Sequence, residues 1–490
     1  MDDSVLEAQW KRLLRKWHFY PKTVMSTSSH LRMHDFTSIM CALFGVGLMQ
    51  SNRIARRRHT VAAFAIEDRV DFRFIDLAEE GVAEVILNPP TLVSGRHSIA
   101  KSPNANGGRR DYFFSRRIPV EGRGYHEEVY GLMQEALTEL HAHYANSGRS
   151  PLEDIECLGV SVAGVVRGAS ILIQLPLWDW PTQPEIVWQG PDGTRRVHFS
   201  LTEVIEEICT GIIGAEAAQS LPTDVNVNFI AVNDAVAAAA ATVCMPEAEL
   251  GGATRIALVR VHNGVNSAFI ADRRFSTRAS HPETGHIYPA LHDIDIDNGF
   301  RGVCPFHGSC LEGMIGEKSI LERAFPSDPN VTPIPEWREI YLRLIKDGVG
   351  DVARALFNSV IGDDKSSKES LGVDIYSHYI SQIVHQMALS AMVPDRILLT
   401  GRFCTSPVIE KTKEKLKNLT NGYPLSDALR TDNIENIIVS VPRKNRRYID
   451  LTGSLAIAYS KSIDNDPKEG RFVRKKAFRR LFDTSVFLDI

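Results

Sequence analysis

The chain has 490 residues, of which 43% are hydrophobic and 24% charged, with a formal net charge of -4. That length exceeds one ordinary core and predicts two or three domains, while the composition excludes a disordered or collagen-like chain. The small net charge excludes a global nucleic-acid coat or an acidic tail.

Residues 1–59 read as a basic helical segment. Residues 1 to 60 hold ten Lys and Arg against four Asp and Glu, about +6 within a negative whole. "VLEAQWKRLLRKW" and "DFTSIMCALFGVGLM" have helical spacing, and Arg56, Arg57 and Arg58 follow. The second run is shorter than the roughly eighteen apolar residues of a membrane span, and the start lacks a basic-then-apolar leader, so a cytoplasmic location is expected. From Thr60 the period shortens to strands, "TVAAFAI" and "VDFRFIDL", followed by the loop-like "SPNANGGRRD". "HEEVYGLMQEALTELHAHY" places Val129, Leu132, Met133, Ala136, Leu137 and Leu140 on one helix face. "IECLGVSVAG", "VNFIAV", "RIALVRVH", "RILLTG" and "IIVSV" read as strands, and their alternation with helices predicts an α/β protein. Residues 461–490 contain "RFVRKKAFRRLF", a basic amphipathic helix that either docks Phe472, Phe478 and Phe482 or meets an acidic partner.

Seven cysteines, odd in number and scattered, argue for reduced thiols. Cys304 and Cys310 alone lie close together, with His307 between them in "CPFHGSCLEG". With His286 they can close a tetrahedral zinc site of two thiolates and two imidazoles; on spacing alone, two free cysteines and surface histidines remain the alternative. Asn233 and Asp234 end a strand and open the alanine-rich "DAVAAAAATV", where a carboxylate either faces a cleft or serves as a plain helix cap.

The order of "GVSVAGVV", "QLPLWDWP", "VNDAVAAAAA", "HPETGHI", "GVCPFHGSCLEG", "VPDRILLTGRF" and "DLTGSLAIAYS" resembles the ROK family of repressors, open reading frames and sugar kinases. The zinc-containing, fructokinase-like branch is most similar, over roughly residues 60 to 460. The resemblance implies a two-lobed, actin-like ATPase (RNase H-like) sugar-kinase fold with an added helical N-terminal segment. Its lobes would span 60–233 and 234–460, the second carrying the zinc loop. It implies Asp234 as catalytic base, Asn233, Glu283, His286 and Glu312 as ligands of a hexose, and His286, Cys304, His307 and Cys310 as ligands of structural Zn2+. Gly264 and Gly401 fall at nucleotide positions, with ATP and Mg2+ as cofactors. A homo-oligomer is the family expectation.

The nucleotide side departs from that pattern. The family's first phosphate turn, rich in glycine, reads "AIEDRVDFRF", where Glu67 and Asp68 add charge of the repelling sign. The second reads "HNGVNS" and the adenosine loop "GRF". Three readings follow: a divergent kinase that holds ATP through Arg69, Arg73 or Arg402; a sugar-binding pseudokinase; or a ROK-type regulator whose residues 1–59 form a winged-helix-like DNA-binding arm.

Overall fold

The computed structural model describes residues 59–77, 86–87, 97–99, 110–119, 124–144, 150–167, 170–174, 186–214, 229–244, 253–271, 274–275, 283–350, 352–362, 370–389, 394–420, 434–441 and 448–464. Residues 1–58, 102–109 of the "SPNANGGRRD" loop, 175–181 of "QLPLWDWP" and the C-terminal basic helix lie outside the described residues.

Two mixed sheets carry the molecule. The first contains β1 (His59–Ile66), β2 (Arg69–Leu77), β3 (His97–Ile99), β4 (Asp111–Arg117), β5 (Cys157–Val162) and β6 (Phe229–Asn233), in the order β6-β5-β1-β2-β4-β3. β1 and β2 form an antiparallel hairpin with Phe64 opposite Phe72, whereas β1, β5 and β6 run parallel. The second contains β7 (Arg255–Val261), β8 (Val265–Ala271), β9 (Arg274–Phe275), β10 (Arg396–Thr400) and β11 (Ile438–Ser440), ordered β9-β8-β7-β10-β11. Its pairing repeats the first: β7 is antiparallel to β8 and parallel to β10, which is parallel to β11. The fold is therefore α/β, as expected, and its two sheets repeat one pairing design.

The helices recur with the same timing. α1 (Tyr125–Tyr144) precedes β5, and its predicted apolar face is buried, because apolar residues three and four apart share a face. α2 (Asp234–Val243) follows β6. α3 (Leu311–Ile315) carries Glu312, α4 (Leu371–Leu389) precedes β10, and α5 (Ile449–Asp464) follows β11.

A core of small residues joins the two sheets. It takes Val61 and Ala63 from β1, Ala235 to Ala241 from α2, Leu258 and Ala268 from the second sheet, and Leu455 and Ala458 from α5. The alanine run is explained by its neighbour: a Cβ on Gly453 would collide with the backbone carbonyl of Ala237, so α2 and α5 meet backbone to backbone. Helix propensity permits that run, and the close crossing requires it.

Candidate functional site

The ends of β6, β7 and β1 converge at the seam. Asn233 caps α2: its Oδ1 accepts from the Ala235 amide at 2.9 Å, while its amide donates to Gly164 O at 3.1 Å. Asp234, the first helical residue, directs its carboxylate at Arg260 of β7. Asp234 lies with Asn233, Glu283 and Glu312 on a small pocket also lined by Asn263 and Asn266. Asn266 donates to Asn233 Oδ1 at 2.8 Å.

Glu312 is 4% exposed, and burial, opposed in part by His286, pushes its carboxyl up to about 7. Its Oε2 accepts weakly from the Val265 amide at 3.4 Å. Glu312 Oε1 and Asn263 Oδ1 are buried without a hydrogen-bond partner among the described residues. Such orphaned acceptors are costly unless a donor reaches them. The pocket holds about 20 Å3, room for roughly one water.

Glu283 and His286 bound a short 3-10 turn, with His286 Nε2 3.4 Å from Glu283 Oε2. Ser267 of β8 holds that turn through the Thr284 hydroxyl at 2.6 Å. His286 thereby joins the pocket wall to a second cluster. The ligand atoms of His286, Cys304, His307 and Cys310 all lie within 4.8 Å of one another. The two imidazole Nδ1 atoms are 3.2 Å apart, and sulfur-to-nitrogen separations from His286 are 3.5 Å to Cys310 and 3.8 Å to Cys304.

Metal bonds of about 2.0 Å to nitrogen and 2.3 Å to sulfur make tetrahedral edges of roughly 3.3 to 3.8 Å. The donor set therefore fits one tetrahedral cation of zinc's preference. The two thiols titrate as a pair: hydrogen bonding from Cys310 and from His286 pushes Cys304 down, while the bond to Cys304 and burial push Cys310 up, so one thiolate forms readily beside one thiol. Gly302 makes the knuckle possible: its φ is +80°, and a Cβ there would strike Gly308 O.

On the other side of Arg260 lies a cleft of about 630 Å3. Glu67, Arg260, His262, Gly401 and Arg402 line it, with Arg69 at the first strand pair. Arg260, 6% exposed, borders both cavities. Its guanidinium contacts Asp234, donates to Glu67 Oε2 at 2.7 Å and to Asp450 Oδ2 at 2.6 Å. Glu67 also meets His262 Nδ1 at 2.9 Å and the Asn263 amide at 3.0 Å. Burial alone would raise the Glu67 carboxyl, but Arg260 and His262 outweigh it and hold it far below the usual range. Asp450 is instead pushed up to about 7, by burial first and by Glu67 repulsion, against the pull of Arg260.

Three expectations need correction. Arg73 cannot meet phosphate: it shares the strand face of Arg69 and Asp71, but farther along β2 it is fully buried and paired with Asp111 at 2.9 Å and 3.0 Å. Gly264 lines the pocket and not the cleft, since the turn closed by the His262 amide to Gly264 O at 2.9 Å sets it beside Glu312. Glu67 and Asp68 are not merely repelling charges, for Glu67 anchors Arg260 and Asp68 lies 3.7 Å from Arg402. Arg260, Asn263 and Asn266 were not anticipated. An arginine inside the apolar strand "RIALVRV" was their one visible signal.

No family model matches the chain. Among curated proteins it is similar to a fructokinase of Streptococcus mutans serotype c, 38% identical over 63 residues, 13% of this chain. The similarity is to fructokinases. The chain spans only 22% of that relative's length. Among solved structures it is similar to a ROK hexokinase from Thermus thermophilus, with a TM-score of 0.45, 16% identity and coverage of 83% of this chain and 99% of that one. A ROK-family glucokinase from Streptomyces griseus, in complex with glucose and AMPPNP, gives a TM-score of 0.46, 14% identity and coverage of 82% and 99%. No helix among the described residues is long and apolar enough to cross a membrane.

Proposed function

We propose that this chain is a ROK-type sugar-binding protein whose pocket takes a hexose, and that transfer of a phosphoryl group from ATP to a sugar hydroxyl is its inherited reaction. The observation that carries the reading is the pair of buried, unpartnered acceptors, Glu312 Oε1 and Asn263 Oδ1, facing the same small pocket as Asn233, Asp234 and Glu283. Sugar hydroxyls supply donors for such acceptors, and a site built to receive them rejects ligands lacking them. The short fructokinase match adds support.

Each residue then has a role. Asp234 removes the proton from the attacking hydroxyl, work worth a factor of about 10² to 10⁴. Asn233, Glu283 and Glu312 orient the ring, with Asn263 as a further acceptor. Cys304, His307, Cys310 and His286 would hold a structural zinc ion, which supplies no chemistry but fixes the loop that presents Glu283. Arg402 and Gly401 stand on the wall where a nucleotide with Mg2+ would lie.

A second reading, a sugar-responsive protein without kinase activity, is favoured by one observation: Arg260 occupies Asp234, and the adjoining cleft has Glu67 and Asp68 where a glycine-rich phosphate turn would lie. Titration calorimetry with a panel of hexoses, followed by an assay for ADP and sugar phosphate with ATP and Mg2+, separates the two. Sugar binding with turnover supports the kinase; sugar binding without detectable nucleotide binding supports the sensor. Binding of no hexose at all refutes both.

A further inference from the structure

We propose that Arg260 is a gate between pocket and cleft, closed on Asp234 in this structure and opened by a phosphate-bearing anion that enters the cleft. The proposal rests on the sugar reading for one of its two ligands. As described, the pocket has space for about one water, and a hexose needs many times that volume. Some wall must move before sugar enters. Arg260 and Glu67 are shared with the larger cavity, and of the two Arg260 is the one that closes on Asp234.

Its partners set the direction of the movement. Asp234 lines the pocket, Asp450 lines the cleft, and Glu67 borders both. A guanidinium that swings toward the cleft keeps Glu67 and Asp450 and gives up only Asp234. It thereby frees the Asp234 carboxylate and enlarges the pocket in one movement. The opposite swing would strand Asp450 and Glu67, whose charges are already crowded, and leaving buried carboxylates uncompensated is costly.

An anion is the ligand that stabilises the open position. A planar guanidinium matches two phosphate oxygens, which would replace the oxygen lost from Asp234. The cleft carries further cations: Arg69, donating to Ser115 Oγ at 2.7 Å, and Arg402, paired with Glu317. Both are held by side chains, so the anion binds by exchanging with those partners and not by filling an empty cationic hole. Because both ligands select the open gate, each must strengthen the other by the same factor.

The test is titration calorimetry on the full chain with inorganic pyrophosphate and a hexose from the panel, for wild type, Arg260→Met and Arg260→Lys. Wild type is expected to bind the hexose at least fivefold more tightly in saturating pyrophosphate, and the converse by an equal factor. Arg260→Met is expected to bind the hexose without pyrophosphate as tightly as wild type does with it, with coupling below twofold and pyrophosphate affinity at least tenfold weaker. Arg260→Lys keeps the charge but loses the fork, and falls between. Since Arg260→Met strands three carboxylates, the double variant Arg260→Met/Asp450→Asn stands in for it where circular dichroism shows the single variant unfolded. Hexose binding that ignores pyrophosphate in wild type, or coupling that survives the loss of Arg260, overturns the gate and leaves the sugar reading intact. Pyrophosphate binding through Arg260 with no hexose binding under any condition overturns the sugar reading and the coupling together.

Discussion

Gly285 offers a single-atom perturbation that reaches pocket and metal cluster together. It sits between Glu283 and His286 in the 3-10 turn, and a Cβ there would collide with Val265 O and lie 2.9 Å from Val265 C. Real Cβ atoms do not approach within 3.0 Å, and Val265 is fixed in β8 opposite Val261. In Gly285→Ala the turn must therefore yield, by on the order of 1 Å, a misplacement that can cost 10²-fold where geometry matters. Moving His286 by that much stretches a metal bond of about 2.0 Å by half, which removes it as a ligand. Overpacking of this kind costs about 1 to 3 kcal/mol. We expect Gly285→Ala to lower the melting temperature, reduce bound metal at least tenfold under a competing chelator, and weaken hexose binding, read by differential scanning fluorimetry, elemental analysis and calorimetry. Unchanged metal content and sugar affinity would refute the claim that this turn couples the two sites.

Asp234→Asn is expected to lower phosphoryl transfer by at least about 10² while changing hexose affinity far less, in a coupled assay beside calorimetry; equal turnover would show that Asp234 is no base. Arg73→Met breaks the buried pair with Asp111 and should cost about 3 to 5 kcal/mol in urea denaturation, with pyrophosphate affinity per folded molecule unchanged. Asp450 predicts a pH dependence. Its folded pKa is raised from 3.8 to about 7, so its contribution is complete below pH 3.8 and lost as pH rises through about 7, at most about 4 kcal/mol. Asp450→Asn should therefore gain more stability at pH 8 than at pH 5 in denaturation curves, and an equal effect at both would contradict the assignment.

The parts legible in the sequence were those whose partners lie near one another along the chain. Cys304, His307 and Cys310 fall within seven residues, so their spacing pointed to one group, and the structure brings their ligand atoms and that of His286 within 4.8 Å of one another. The α1 face was legible for the same reason, since helical periodicity is local. Arg260 was not, because its acidic partners Glu67 and Asp450 lie 193 and 190 positions away and only sheet topology brings them together. "HNGVNS" read as a glycine loop in decay, but its asparagines furnish side-chain amides that hold Glu67 and Asn233, a function that a search for lost glycines cannot reveal. Arg73 was misassigned because its partner was invisible: Asp111, 38 positions away, claims the guanidinium in the interior. The repeated sheet design escaped notice as well, for pairing order leaves no mark in residue composition.

The seam between α2 and α5 carries a mechanical consequence. With Gly453 against the Ala237 carbonyl, the two helices cross backbone to backbone and have no slack to draw closer. A bulkier residue at position 453 would therefore act as a wedge, prising apart the helices that hold the two sheets together.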